Sequence, residues 1–95
     1  MNKMFIGKYA IIRADGAGVH AGKVEAIEGQ SVTLTNSRRL WYWATPKGIA
    51  LSGVAQHGIT LESKVDTVNP LILINGVCEI IPCSATAQQS IEAAP

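Results

Sequence analysis

Charge is scarce in this chain. Of 95 residues only 16% are charged, against about 25% in ordinary soluble domains. That deficit points to a surface partly covered by further copies of the chain, so a homo-oligomer is expected. The charge present is balanced, with eight basic and seven acidic side chains and a net charge of +1. They are scattered rather than blocked, which excludes a broad footprint for duplex DNA or an acidic membrane. Long apolar runs are missing too: Pro70 to Ile74 is among the longest, far short of the roughly 20 residues that cross a bilayer. The first eight residues carry no apolar run of signal-peptide length, and a soluble intracellular protein is expected.

Cysteine and histidine are equally sparse. Cys78 and Cys83 lie in C-E-I-I-P-C, and only the remote His20 and His57 could complete a tetrahedral set, so no metal is expected. An extended strand would hold these cysteines beyond the ~7 Å limit between bridged Cα atoms. Free, mostly buried thiols are the simpler expectation. Glu25, Glu28, Glu62 and Glu79 are scattered without a pairing signature, no nucleophile–base arrangement can be read, and no catalytic residues are assigned. Gly16, Gly18 and Gly22 do not fit a dinucleotide fingerprint and no P-loop lysine follows. The chain therefore reads as a binding protein without a cofactor rather than an enzyme.

What remains is β-rich. A chain of this length builds one domain, here spanning 1–95. Tyr9 to Arg13 reads as a strand, Asp15 to Gly18 as a turn, and Val19 to Ile27 as a second strand in which Gly22 marks a bulge or a close backbone approach. Ser31 to Thr35 alternates as a third strand, and Asn36-Ser37 looks like a tight connection to a fourth. Thr45 and Pro46 read as the start of a short helix ending before Gly53, and 56–69 as an exposed ribbon or loop. Pro70–Ile74 and Val77–Ile81 flank Asn75-Gly76, the strongest hairpin signal in the chain. Residues 84–95, with Ile91 as their only large apolar side chain, are expected to form a weakly anchored helix or tail. The sum is a mainly β fold: a small antiparallel barrel or rolled sheet with one or two short helices.

One stretch stands apart. Residues 37–43, S-R-R-L-W-Y-W, hold two arginines and three of the five aromatics. In a regular strand Arg39, Trp41 and Trp43 share one face, with Leu40 and Tyr42 on the other. A guanidinium beside indoles suits a phosphate next to a flat base. The alternative is that both tryptophans are core and the arginines rim them. Arg38 falls on the opposite face unless the turn at Ser37 swings it round. His20, in G-A-G-V-H-A-G, sits where backbone amides and an imidazole can approach an anion, although a lone strand histidine is more often structural. Arg13 flanks the same hairpin. The candidate ligand-binding set is therefore Arg13, His20, Arg38, Arg39, Trp41 and Trp43.

Three segments together, R-A-D-G-A-G-V-H-A-G (13–22), S-R-R-L-W-Y-W (37–43) and E-I-I-P-C-S (79–84), resemble a family of small bacteriophage-encoded proteins of uncharacterised function. I-A-L-S-G-V (49–54) fits the region between them. The resemblance implies an accessory protein in the cytoplasm of an infected bacterium. By analogy of size, origin and chemistry, it suggests a sponge that sequesters a nucleotide second messenger of bacterial defence. A rival reading is a virion component, or an inhibitor that docks a host protein through the Arg/Trp strip. Binding of single-stranded nucleic acid is a third option, which the low net charge makes weak.

Overall fold

The structure, a computed structural model, describes residues 3–47 and 50–95. After a 3-10 turn at Lys3–Phe5, the chain forms β1 (Tyr9–Ala14), β2 (Gly18–Glu28) and β3 (Ser31–Tyr42). Then come α1 (Leu51–His57), β4 (Lys64–Val65), β5 (Asn69–Ile74), β6 (Val77–Pro82) and α2 (Ala85–Ala93). All strand pairs are antiparallel, in the order β4-β3-β2-β1-β6, with β5 lying along the first half of β3. The fold is mainly β, a rolled sheet with two short helices. It is not a closed barrel.

The roll follows from one connection. β5 pairs with β3 and β6 with β1, towards opposite edges of the sheet, yet only Asn75 and Gly76 join them. The sheet must curl until its edges meet there. Ile74 and Val77, on either side of the link, are both buried in one core. The Val77 amide donates to the Gln30 carbonyl at 2.9 Å, and Ser31 Oγ donates to Asn75 Oδ1 at 2.6 Å. The expected Asn-Gly hairpin is therefore a corner: Gly76 has the positive φ of +70° that such a turn uses, but the flanking strands leave for different neighbours.

Each sheet face carries a core. The inner one gathers Ile12, Val24, Ile27, Val32, Leu34 and Val77 among others. The outer one packs Tyr9, Ile11, Ala21 and Leu40 under Val54 and Ala55 of α1 and Ile91 of α2. Since β1 is covered on both sides, Y-A-I-I lacks the polar alternation of a half-exposed strand.

Two bulges set which side chains face which core. Lys23 pairs with Thr35 but Ala21 with Arg38, so Gly22 stands opposite both Asn36 and Ser37. Asn36 has φ +49°, a left-handed conformation that asparagine tolerates. The predicted turn at Asn36-Ser37 is this bulge, and the two expected strands are one strand of 12 residues. A Cβ on Gly22 would lie 2.8 Å from Ser37 Cβ, so the predicted close backbone approach is present. The bulge reverses the parity of β3: Val32 and Leu34 face the inner core, Leu40 the outer. A second register shift between Val24 and Ala26 keeps Val24 and Ile27 in the same core.

The first helix lies later than expected. It runs through Gly53 and ends at Gly58, whose φ of +85° lets its amide return to the Val54 carbonyl at 2.8 Å. Part of the predicted 46–52 helix, Gly48 and Ile49, falls outside the described residues. Thr45 is not its cap; its hydroxyl donates to the Lys47 carbonyl at 3.0 Å. α2 starts at Ser84, whose Oγ accepts the Ala87 amide at 3.1 Å. Hydrophobicity alone suggests weak anchoring for this helix, but Ala87 and Ile91 are buried and a polar anchor, Arg38, joins them.

Candidate functional site

The bulge at Asn36 hands the two adjacent arginines different tasks. Arg38 shares the outer face with Leu40 and is buried. Its Nε donates to the Asp66 carbonyl at 2.7 Å. Nη1 donates to the carbonyls of Ile91 at 2.9 Å and Ala94 at 2.6 Å, and Nη2 to that of Pro95 at 3.3 Å. These carbonyls lie at and beyond the last turn of α2, where a helix leaves acceptors unmatched and favours a cation. Arg38 is thus occupied as a clamp.

Arg39 is held differently. Its guanidinium lies over the Trp41 ring, 4.3 Å from the ring centroid. Among the described residues no hydrogen bond or ion pair holds its N–H groups. Gly18 makes room for it: a Cβ there would stand 3.0 Å from Arg39 Nη2. Trp41 is 62% exposed, and its Nε1 donates to Asp66 Oδ2 at 3.4 Å. The other carboxylate oxygen of Asp66 accepts the Thr67 amide at 2.7 Å. The Thr67 bond, then the Trp41 bond, hold the Asp66 carboxyl below its usual range, and the charges of Arg39 and Arg38 add to this.

His20 is the cross-strand partner of Arg39 and is buried. Its Nε2 donates to the Ala17 carbonyl at 2.8 Å. Burial lowers its pKa, and the Arg39 charge pushes the same way against the Ala17 bond. The imidazole is neutral at pH 7 and ties down the turn that delivers Gly18.

The other candidates lie apart. Arg13 pairs across β2 with Val19, while its neighbour Ile12 pairs with His20, so Arg13 and His20 occupy opposite faces. Arg13 Nε instead meets Glu79 Oε1 on β6 at 2.9 Å. Trp43 follows the end of β3, and the register shift between Leu40 and Tyr42 turns it against the outer core. Tyr42, expected to continue the core face, is 53% exposed. Arg39 and Trp41 are therefore the part of the six-residue set that meets, with His20 supporting them. Sequence reasoning missed Asp66, because β4 must first bring that residue opposite Arg39, where its amide takes the Arg39 carbonyl at 2.9 Å.

Arg39, Trp41 and Asp66 form a shallow, open platform. A groove of about 530 Å³, lined in part by Ile59, Leu61, Ser90 and Ala94, lies elsewhere and includes none of the three. A guanidinium stacked on a ring keeps its in-plane N–H groups available for a phosphate or carboxylate. The uncovered part of the indole offers a stacking surface, and the Asp66 carboxylate can accept further N–H donors.

Among the cysteines, Cys78 is exposed, contrary to the expected burial, because it sits at the shift in register between β1 and β6. Its thiol donates to the Arg13 carbonyl at 3.3 Å. Cys83 is partly buried, and burial pushes its thiol pKa up to about 12.

The chain belongs to a family described as a domain of unknown function (DUF6948), which matches residues 7–91. That span holds Gly18, His20, Arg39, Trp41 and Asp66. No curated protein and no solved structure matches the chain.

Proposed function

We propose that this protein is a non-catalytic binder of an anionic, base-bearing ligand of the nucleotide type, held on the Arg39–Trp41 platform. A single observation carries the reading: a guanidinium without a hydrogen-bond partner among the described residues lies over a largely exposed indole, 4.3 Å from its centroid. Arg39 binds phosphate, Trp41 stacks the base, and Asp66 accepts from an N–H edge. His20 stays neutral and fixes the turn beneath. Arg38 and Trp43 serve the fold around the site, and Arg13 serves the β1–β6 pair. Stacking contributes about 1–3 kcal/mol per base and a charge-assisted hydrogen bond about 1.5–3, so one stacked base with two or three such bonds approaches the roughly 8 kcal/mol of micromolar affinity.

The biological setting in this reading is a phage accessory protein that sequesters a defence messenger in the infected cell. It rests on the resemblance of 13–22, 37–43 and 79–84 to phage-encoded proteins. Isothermal titration against cyclic nucleotides and cyclic ADP-ribose isomers tests the ligand class, with R39A and W41A expected to abolish the signal. Absence of binding across the panel at high micromolar concentration would sink the proposal.

One observation favours a second reading. Trp41 and Tyr42 are adjacent and both largely exposed, and such residues are common anchors at protein interfaces. A stoichiometric partner retained from host lysate by the native chain but not by W41A would shift the assignment to a protein inhibitor.

A further inference from the structure

The outer face of the sheet is covered unevenly. The helices shield the half around Ile11, Ala21 and Leu40. The other half, where Leu71 pairs with Thr35 and Leu73 with Thr33, has no helix packed over it among the described residues; its β2 side carries the Lys23–Glu25 ion pair, and its β5 side is apolar. Leu71 is 65% exposed and Leu73 60%. Both belong to β5, which pairs only with β3 and whose second edge has no strand beside it among the described residues. Such an edge presents unpaired backbone groups, and proteins usually guard it with lysine or another charge. Here no charged side chain occurs between Asp66 and Glu79, and Pro70 guards only the start of the strand, which leaves Leu71 to Ile74 open.

We infer that β5 is a self-association edge, across which two copies pair antiparallel about a two-fold axis and join their sheets. Three features select a second copy as the occupant. A two-fold contact brings a surface against itself, so a strip with charge of one sign would repel its copy across the axis; residues 67–78 carry no charge. An antiparallel strand supplies acceptors and donors to every group the free edge exposes. The outward leucines of the two copies then cover one another, and the low overall charge of the chain is accounted for. This inference is independent of the ligand at Arg39 and Trp41, which lie at the other end of β3.

Sedimentation velocity of the full chain over about 1 μM to 1 mM tests it. A reversible dimer is expected, with amide exchange on 69–74 slowing as concentration rises. The double variant L71K/L73K should raise the dissociation constant at least about tenfold while leaving the far-ultraviolet circular dichroism unchanged. If the lysines disturb folding, L71T/L73T keeps a strand-forming residue at each position and should weaken the dimer in the same direction. A wild-type chain that stays monomeric throughout, or folded variants that dimerise as tightly as wild type, would overturn the inference.

Discussion

Arg38 reaches Ile91 across 53 residues of chain, its Nη1 donating to the Ile91 carbonyl at 2.9 Å. The same guanidinium holds Ala94 and Asp66, so one side chain ties α2, β3 and the segment after β4 together. Truncation strands the buried Ile91 carbonyl and three part-buried ones and removes a buried side chain from the outer face. We expect R38A to lose about 3 kcal/mol or more in denaturant melts. R38K should recover part of it, because an ammonium reaches fewer of these carbonyls than a fork does. Hydrogen exchange should show lost protection concentrated in 85–95.

Such an anchor cannot be read from sequence, because its partners are main-chain carbonyls with no residue type of their own. The β content, the turn at 15–18 and the close approach at Gly22 were legible, since β-branched runs and glycines report local geometry directly. Asn36 and Asn75-Gly76 differ from the expected turn and hairpin for a shared reason. Left-handed residues serve turns, bulges and corners alike, and long-range pairing decides which. The parity of 37–43 correctly separates Arg38 from Arg39 but fails at Trp43, where the register slips after Leu40.

The tight contact at Gly22 yields the second prediction. A methyl group there would lie 2.8 Å from Ser37 Cβ and 2.9 Å from its Cα, and neither atom can swing away as the end of a long side chain would. G22A should therefore destabilise by about 1–3 kcal/mol and broaden the amide resonances of 20–23 and 35–38, which flank the bulge.

His20 supplies a pH dependence. Its pKa is lowered in the folded state, chiefly by burial, from the ordinary 6.5. The unfolded chain therefore takes up a proton before the folded one does. The resulting stability is fully present above about pH 6.5 and is lost as pH falls through the lower folded value. Melting temperature should decline between pH 7.5 and 5, whereas H20Q, able to donate to the Ala17 carbonyl but unable to titrate, should show a flatter profile over the same range.

The two thiols should separate chemically. Cys83 has its pKa pushed up to about 12 by burial, so almost no thiolate exists at pH 8, while Cys78 is exposed. A disulfide-exchange reagent should titrate one thiol quickly in the native chain and the second only at the rate of opening. C78S should remove the fast phase and leave the slow one.

The last prediction isolates the platform from the ligand. Gly18 and Gly76 both hold positive φ, +82° and +70°, so alanine at either carries a similar backbone strain of about 1–2 kcal/mol. Their surroundings differ: a Cβ on Gly76 meets nothing within 4 Å, whereas one on Gly18 stands 3.0 Å from Arg39 Nη2. G18A should thus shift the guanidinium over Trp41 by a few tenths of an ångström, and G76A should not. Tryptophan emission and acrylamide quenching should change in G18A and stay near wild type in G76A at matched temperature below the melt. Ligand affinity, if Arg39 over Trp41 is the site, should fall in G18A alone. Equal effects of the two substitutions would mean that strain, rather than the placement of Arg39, governs both signals.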